Sequence, residues 1–444
     1  PAVGNRPADI PWSRQFNDAP ELSRIRTTSG IVSLEQRLTS SWRLTARGVF
    51  LDSRTRELDI WPYRIDLFTG ADCMAASNSL CRYYYYSRPD GHATTHQATV
   101  DLHGTFSTGA IRHKVLVGAE SFGTQKTGMT YLEQITPVNI FAPVFGTPPK
   151  LDTSLAAPFD YEDHNRWTSL YAQDVVSLGG GLQAVAGIRF DATSAIFALT
   201  GTEPNAQSFT TPRVGLVWQA NTRQSLYAQY QDAVDANNGR DPASGKELDA
   251  ERSRQVEVGY KATALDGGLN ATVAVYQLVK RNRADYSLYP SVQTIGEARS
   301  RGLEVDVLGR VTRRLSAMAS YALTDGKVTK DPVYGGLLLP NAPRHGGSLW
   351  TRLALNERWS AGGGLFVQGI RQGDFLNSFQ LPAYGRVDAM LSYAFPAGVW
   401  HGAAQLNVNN VLDTRYYSGS HPIVQDWIQP GAPRTVSITF RLER

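Results

Sequence analysis

The clearest pattern in this sequence is an alternation of apolar and polar residues between Leu381 and Arg444. A period of two over about ten residues predicts β-strands with one apolar and one polar face. Such strands suit the wall of a membrane barrel or a soluble sandwich, and the alternation alone leaves both open. The apolar positions are Val387, Ala389, Leu391, Tyr393, Phe395, Val436, Ile438, Phe440 and Leu442, and the polar positions are Arg386, Asp388, Ser392, Thr435, Ser437, Thr439 and Arg441.

Similar segments recur along the chain, and the connections between them alternate in length. About seventeen strand-like segments are predicted, beginning with 25–38 and ending with 432–442. Short connections such as Thr108-Gly109 suit tight turns. Tight turns at one end and long loops at the other are typical of an outer-membrane barrel, so we expect an all-β fold that is a transmembrane antiparallel β-barrel. The long connections are 61–91, 131–163, 200–207, 237–248, 330–340, 373–379 and 420–431.

Composition excludes two other classes of protein. Hydrophobic residues make up 42% of the 444 residues and mean hydropathy is −0.29. No apolar run approaches the roughly 18 residues of a transmembrane helix, which excludes a helical membrane protein. The net charge of +4 is small and forms no basic stripe, so we expect no nucleic acid partner.

The sequence contains two cysteines, Cys73 and Cys81, in a polar, aromatic segment. Two buried free thiols are one interpretation. The polar neighbours favour a local disulfide that staples a long loop, which implies an oxidising compartment. The spacing differs from the CxxC pattern of redox and zinc motifs. No signal peptide is visible at the start of the sequence.

Catalytic and metal-binding patterns are weak. There is no GxSxG elbow and no P-loop, so we predict no catalytic residue, no cofactor and no enzyme. His92, His96 and His103 lie near one another, but no cysteine or close carboxylate completes a coordination set. We interpret them as solvated strand histidines and predict no metal site.

Recognition chemistry is better supported, in the early loop 61–91. Four consecutive tyrosines follow Arg82 there, and aromatic faces with guanidinium groups suit a planar, anionic iron chelate. The alternatives are a tyrosine girdle at the lipid headgroups and, for aromatic residues of other loops, packing of loop on loop. The candidate ligand-binding residues are Trp61, Tyr63, Arg82, Tyr83, Tyr84, Tyr85, Tyr86, Arg88, Tyr289, Tyr334, Phe375 and Trp427.

Eight short segments occur in the order expected for a known family over most of the chain. Together they resemble the barrel of TonB-dependent siderophore receptors, and their style is that of the ferrichrome-type receptors of the outer membrane. The segments are YAQDVV (171–176), GIRFDA (187–192), SLYAQY (225–230), VEVGYK (256–261), SRGLEVDVLGRV (300–311), LPAYGRVDAMLSYAF (381–395), NVNNVLDTRYY (407–417) and PGAPRTVSITFRL (430–442).

The resemblance implies a bacterial outer-membrane receptor that takes up a ferric siderophore, with TonB supplying energy through a plug domain inside the barrel. It implies ferric siderophore, TonB, outer-membrane lipid and lipopolysaccharide as partners. A passive, porin-like pore is the alternative, as is a receptor for another scarce nutrient such as heme or cobalamin.

The sequence departs from the family in strand number. The family barrel has about 22 strands, so we interpret the chain as one that lacks the plug and about the first five strands. Residues 1–24 are then expected to be the tail of an extracellular loop and residues 25–444 a partial barrel. The first and last strands run in the same direction, so antiparallel pairing cannot join them, and we expect incomplete or distorted closure.

Overall fold

The structure is a computed structural model in which one large antiparallel sheet curls into a barrel. It describes residues 1–14, 16, 22–64, 66–67, 69–87, 91–145, 157–196, 204–237, 240–241, 244–285, 293–422 and 427–443. In this part of the chain, no helix has both the length and the apolar character needed to cross a membrane.

Within the described ranges, eighteen strands form the barrel, and they are numbered here in chain order. They are β1 (Leu22–Arg37), β2 (Trp42–Tyr63), β3 (Ser79–Ser87), β4 (Gly91–Thr108), β5 (Ile111–Asn139), β6 (Ala157–Gly179), β7 (Leu182–Ile196), β8 (Asn205–Asn221), β9 (Gln224–Asp235), β10 (Glu251–Ala264), β11 (Leu269–Asp285), β12 (Gln293–Arg310), β13 (Leu315–Lys330), β14 (His345–Ala354), β15 (Trp359–Gln368), β16 (Tyr384–Ala397), β17 (Trp400–Asn409) and β18 (Thr435–Glu443).

Shorter elements lie outside the barrel wall. In the part of the chain that the structure describes, three two-stranded ribbons pair Ala2–Val3 with Arg6–Pro7, Arg371–Gln372 with Gln380–Leu381, and Tyr417–Ser420 with Ile428–Pro430. The helix α1 spans Cys73–Ser77, and a 3-10 turn spans Leu265–Gly267.

Two of the barrel strands, β3 and β4, lie end to end and share one position in the ring. β2 pairs with β3 near the loops, where Ile60 faces Tyr84, and with β4 near the turns, where Ala46 faces Val100. β5 pairs with both on the other side. Eighteen strands, two of which share a position, therefore occupy seventeen positions, the number that the sequence predicts.

The alternation of the strands divides the wall into an apolar and a polar face. Val214, Tyr230 and Val256 face one another across three strands, while the intervening Gln229 and Glu257 lie on the opposite face. The apolar rows continue around the ring as an outer belt of exposed side chains, as a lipid-facing wall requires. The belt includes Val32, Leu34, Phe50, Val100, Val117, Leu170, Ile188, Val214, Leu226, Val256, Val275, Leu349, Leu365, Leu391, Leu406 and Ile438.

The polar face is the concave one, because its side chains reach past a neighbouring strand. Arg189 of β7 binds Glu120 of β5 at 2.9 Å, and Tyr171 of β6 donates to Asp101 of β4 at 2.5 Å. Side chains converge in this way only on the inside of a curved sheet. The predicted apolar rows of 387–395 and 436–442 belong to the outer belt, through pairs such as Leu391 with Leu406.

The barrel closes at a weak seam between β18 and β1. The strand order places these strands side by side, and both run in the same direction because seventeen is odd. Between them the described residues form no register of paired residues, unlike the antiparallel neighbours on their other sides. Every residue of 23–37 and 435–443 is exposed. The closure is therefore distorted, as predicted.

At the loop end, residues 1–14 cross this seam as a strap. Ala2 packs with Phe379 and Leu381 of the late loops, and Gln380 donates its backbone N–H to the Asn5 carbonyl. Ala8 packs with Met74 and other residues of the early loop. The strap therefore joins the last loops to the first. The first barrel strand begins at Leu22, whereas the sequence analysis placed the boundary after residue 24.

Candidate binding site at the loop end of the barrel

An aromatic cluster lies on the inner face where β2 and β3 extend beyond the outer belt. Trp61 and Tyr83 are cross-strand partners, so alternation places Tyr63 and Tyr85 on the same face. The Trp61 and Tyr85 rings stack with centroids 4.2 Å apart and planes 7° apart. Tyr63 and Tyr83 meet edge to face at 5.9 Å. Offset and edge contacts of this kind stabilise aromatic groups beyond their burial.

Trp427, from the loop that precedes β18, completes this cluster across the seam. Its ring meets Trp61 edge-on at 5.8 Å and Tyr63 at 5.4 Å. Its indole Nε1 donates to the Pro62 carbonyl at 2.7 Å, although 365 residues separate the two in sequence. Trp427 therefore fixes the last loop to strand β2.

The polar groups of the cluster are few. The Asp59 carboxylate accepts hydrogen bonds from the Trp61 indole at 3.1 Å and from the Ile60 backbone N–H at 2.8 Å. Burial raises the pKa of Tyr63 to about 12 and also raises the pKa of Tyr83 to about 12. Both phenols therefore stay neutral at physiological pH. The Tyr83 hydroxyl is engaged within the protein, because it accepts from the Leu67 backbone N–H at 2.7 Å and hydrogen-bonds the Asp66 carboxylate.

A cavity of about 640 Å³ opens beside this cluster, between the strap and the last loop. Trp12 of the strap and Tyr417 of the last loop form part of its lining, with ring centroids 5.0 Å apart. Asp59 and Arg14 are its two charged lining residues among those described. The volume is typical of a small-molecule pocket and the lining is largely aromatic and apolar. The remaining lining residues are Pro1, Pro7, Ala8, Ile10, Pro11, Phe16, Ile60, Trp61, Pro62, Trp427, Ile428 and Pro430.

The structure separates the candidate residues of the tyrosine run between two faces. Tyr83 and Tyr85 join the inner cluster, whereas Tyr84 packs on the outer face with Ile60 and Ile135. The segment is strand β3 and not loop, which corrects the sequence analysis. Tyr86 lies in β3, but its side chain, like Arg88 and Tyr289, falls outside the described residues.

Arg82 lies on the outer face of β3, away from the aromatic cluster. Its side chain is fully buried and donates to the Thr136 carbonyl at 2.8 and 2.6 Å and to the Phe16 carbonyl at 3.1 Å. A guanidinium held in this way holds backbone segments together. Of the charged residues, Asp59 bonds to Trp61 of the inner cluster and Arg14 lines the neighbouring cavity, whereas the sequence analysis placed Arg82 beside the aromatic rings.

Two further candidates lie in a different cluster. Tyr334 and Phe375 pack against each other at 5.7 Å, with Ile295 and Val328, and the Arg283 guanidinium lies 4.9 Å from the Phe375 ring centroid. These contacts join loops to strand ends. They correspond to the packing of loop on loop that the sequence left as an alternative for these aromatic residues.

The loop that precedes β3 is held by several local bonds. Cys73 and Cys81 are joined by a disulfide, with Cα atoms 5.8 Å apart. Asp72 caps helix α1 by accepting from the backbone N–H groups of Met74 and Ala75. Burial acts to raise the pKa of this carboxyl, but Arg64 and the capping N–H groups hold the pKa below its usual value. The disulfide fixes the residue that precedes Arg82 and Tyr83.

The histidines make local polar contacts on the wall. His92 Nε2 lies 2.6 Å from Asp52, and His103 Nε2 lies 3.4 Å from the Thr45 hydroxyl. Within the described ranges, the one group of potential metal ligands at coordinating distance is Asp66, Cys73 and Cys81. The two sulfur atoms of that group are bonded to each other.

Residues 2–411 match the family described as TonB dependent receptor-like, beta-barrel. The chain belongs to this family. Its members are bacterial outer-membrane β-barrels that act as transport receptors, so the outer belt faces lipid and the chain is located in the outer membrane.

Named relatives and solved structures agree with this assignment. The chain is 34% identical to the Metal-pseudopaline receptor CntO of Pseudomonas aeruginosa (strain UCBPP-PA14), over 99% of the chain and 63% of the receptor. It is 27% identical to the Ferrichrome outer membrane transporter/phage receptor of Escherichia coli (strain K12), over 71% of the chain and 44% of that protein. The chain therefore spans about half the length of the curated relatives it matches.

The crystal structure of the siderophore receptor PiuA from Acinetobacter baumannii has the same fold. It superimposes with a TM-score of 0.84 at 21% identity, covering 99% of this chain and 67% of that one. The similarity confirms the predicted class of barrel.

The sequence analysis missed Trp12, Tyr417 and Asp59. Tyr417 lies within a segment that the resemblance used, but nothing in its spacing indicated a partner near the start of the chain. Asp59 had a weak signal, because it is two residues from Trp61 and alternation places both on one face.

Proposed function

We propose that this chain forms the greater part of the barrel of an outer-membrane receptor that imports a metal chelate, a ferric siderophore being the class expected. Energy comes from TonB through a plug domain, and the barrel itself performs no catalysis. The observation that carries this proposal is membership of the receptor family. The aromatic cavity at the loop end supports it, because this is where a ligand from outside the cell first meets the barrel.

The inner aromatic cluster fits the binding step. Trp61, Tyr85 and Trp427 offer flat, polarisable faces, and the neutral hydroxyl of Tyr63 offers a hydrogen-bond donor. Planar chelating groups stack on such faces. The named relatives bind several metal chelates, and their names support this class of cargo.

The proposal is tested by uptake of a radioactive ferric siderophore into cells that express the receptor and lack their own siderophore receptors. Uptake is expected to stop when the proton gradient across the inner membrane is collapsed, because the energy comes from there. Uptake that continues after collapse would contradict the proposal and favour a passive pore.

The contribution of the cavity is tested with a pair of tryptophan variants, whose apparent affinity for the ferric siderophore is read from the concentration dependence of uptake in the same assay. Trp61→Ala removes the stacked partner of Tyr85 and the edge contact with Trp427, and we expect about tenfold weaker chelate binding. Trp218→Ala is the matched control, because Trp218 is 47% exposed and lies on the outer face. Equal affinities of the two variants would show that the aromatic cluster does not contact the cargo.

A further inference from the structure

The disulfide of the early loop lies against a buried carboxylate. The Cys81 Sγ atom is 3.9 Å from the Asp66 Oδ2 atom. The sulfur atoms of Cys73 and Cys81 and a carboxylate oxygen of Asp66 all lie within 4.8 Å of one another. Asp66 is 8% exposed and Cys81 is 3% exposed, whereas Cys73 is half-buried. Two sulfur atoms and one carboxylate in so small a volume are a donor set that suits zinc.

Hydrogen bonds other than the disulfide hold these three residues in place. The Asp66 carboxylate accepts from the Gln134 side-chain amide at 2.6 Å. Cys73 begins helix α1 and donates its backbone N–H to the Arg64 carbonyl at 2.8 Å. Cys81 lies within strand β3. The three side chains are therefore expected to stay close together when the disulfide is reduced.

The spacing of the three ligand atoms suits a tetrahedral zinc ion. Zinc binds sulfur at about 2.3 Å and carboxylate oxygen at about 2.0–2.2 Å, so its ligand atoms lie about 3.5–3.8 Å apart. The Cys81 sulfur and the Asp66 oxygen are already 3.9 Å apart. The Cα atoms of Cys73 and Cys81 are 5.8 Å apart, so rotation of the two side chains can bring the released sulfur atoms to the same spacing. Water can supply the fourth ligand from the side of Cys73, which is partly exposed.

Reduction decides whether the two sulfur atoms can bind a metal. The thiolate is the metal-binding form of cysteine, and a disulfide contains none. A small thiol reduces the disulfide by exchange, in which two RSH molecules and the protein disulfide give one RSSR and two protein thiols. Zinc then displaces one proton from each protein thiol. Thiolate ligands favour zinc over magnesium and calcium, which prefer oxygen ligands.

We propose that Asp66, Cys73 and Cys81 bind one zinc ion when a small thiol has reduced the disulfide. The early loop is then held either by the disulfide or by zinc, and it keeps its shape in oxidising and in reducing surroundings. The Thr69 backbone N–H donates to Asp66 Oδ1 at 2.9 Å, which orients the carboxylate toward the sulfur atoms through Oδ2. The site is distinct from the cargo cavity, because none of the three residues lines that cavity.

The test measures metal binding by the full chain folded in detergent micelles. A phosphine reduces the disulfide and is removed before zinc is titrated. Cobalt(II) replaces zinc as a coloured probe, because a thiolate bound to cobalt gives charge-transfer absorption in the near ultraviolet. The reduced chain is expected to bind one ion with this absorption, and the oxidised chain is expected to show none. Metal binding by the reduced chain without thiolate absorption would overturn the proposal.

Variants of single ligands identify the donor set. Cys73→Ser and Asp66→Asn each remove one ligand from the reduced chain, and each is expected to weaken zinc binding by about 100-fold or more. Cys73→Ser leaves the hydrogen bonds of Asp66 in place, so it separates the loss of a ligand from a disturbance of the loop. Asp249→Asn is the matched control, because it removes an exposed carboxylate before β10. Zinc affinities of Cys73→Ser or Asp66→Asn equal to that of the control would contradict the proposed site.

Limited proteolysis tests the structural consequence. The reduced, metal-free chain is expected to be cut between residues 64 and 78 faster than the oxidised chain, and one equivalent of zinc is expected to restore the slower rate. The same amount of zinc is expected to leave cleavage of reduced Asp66→Asn unchanged. Zinc that does not slow cleavage of the reduced, unaltered chain would overturn the proposal. The heat-modifiable mobility of the folded barrel in gels confirms that each variant has folded.

Discussion

Single residues in this barrel take their roles from the face on which they lie. Arg82 and Tyr83 are neighbours and both are fully buried, yet Arg82 lies on the outer face of β3 and Tyr83 on the inner face. The chemistry of a guanidinium beside an aromatic run suggested a ligand site. The contacts of Arg82 with the Thr136 and Phe16 carbonyls assign it instead to the support of β3.

We expect Arg82→Gln to destabilise the early loop region. The substitution removes the charge-assisted hydrogen bonds of a buried side chain to the Thr136 and Phe16 carbonyls, a loss of about 2–4 kcal/mol in the free energy of unfolding. Urea unfolding followed by tryptophan fluorescence measures this loss. The exposed Arg54 provides the control, and Arg54→Gln is expected to change the free energy by less than about 0.5 kcal/mol. Equal effects of both substitutions would show that the buried contacts add nothing.

The sequence predicts the contacts of the site that follow from local alternation, but not the contacts between segments that are far apart in the chain. Trp61 and Tyr63 share a face with Tyr83 and Tyr85 by alternation, which is a local rule. The pairing of Trp61 with Trp427 depends on the path of the last loop across the seam, and no local pattern encodes that path. Trp12 reaches the cavity in the same way, through the strap.

Among the elements, the loop between β2 and β3 controls the position of the inner tyrosines. Helix α1 and the disulfide bring the chain back from Tyr63 to Ser79, where β3 begins. The sequence indicated the disulfide from its polar surroundings. It did not indicate that strand structure resumes at Ser79, because a run of four tyrosines reads equally well as loop or as strand.

Replacing both cysteines by serine is expected to loosen this loop without unfolding the barrel. The disulfide joins residues eight apart, and closing a loop of that length contributes about 2–3 kcal/mol on the chain-entropy model. Limited proteolysis should therefore cut the segment 64–78 faster in the double variant, while the barrel stays resistant. Cleavage at the unaltered rate would mean that the Asp72 cap and the Arg64 ion pair hold the loop without help.

At the scale of the whole molecule, the outer belt and the polar interior determine where the protein resides. The belt follows from period-two alternation, so the sequence predicted it throughout the chain. The seam followed from counting strands, since an odd number leaves β18 and β1 parallel. The bridging of that seam by the strap and by Trp427 required the structure.

Neighbouring residues on β9 provide a direct test of the belt. Ala228 lies between Leu226 and Tyr230 on the outer face, and Gln229 faces inward. Ala228→Lys is expected to reduce the stability of the inserted barrel by about 2–4 kcal/mol, as for a lysine at the membrane midplane. Gln229→Lys is expected to have little effect, because the interior is wet. Folding into lipid vesicles, followed by heat-modifiable mobility in gels, compares the two.

The measurement that tests the account most directly is a scan of spin labels along β9, from Ser225 to Gln231, in the barrel inserted in vesicles. Collision with oxygen, which concentrates in lipid, is expected to be high at Leu226, Ala228 and Tyr230. Collision with a water-soluble nickel chelate is expected to be high at the positions between them. Collision rates without this alternation, or with the two phases exchanged, would contradict a barrel with lipid outside and water within.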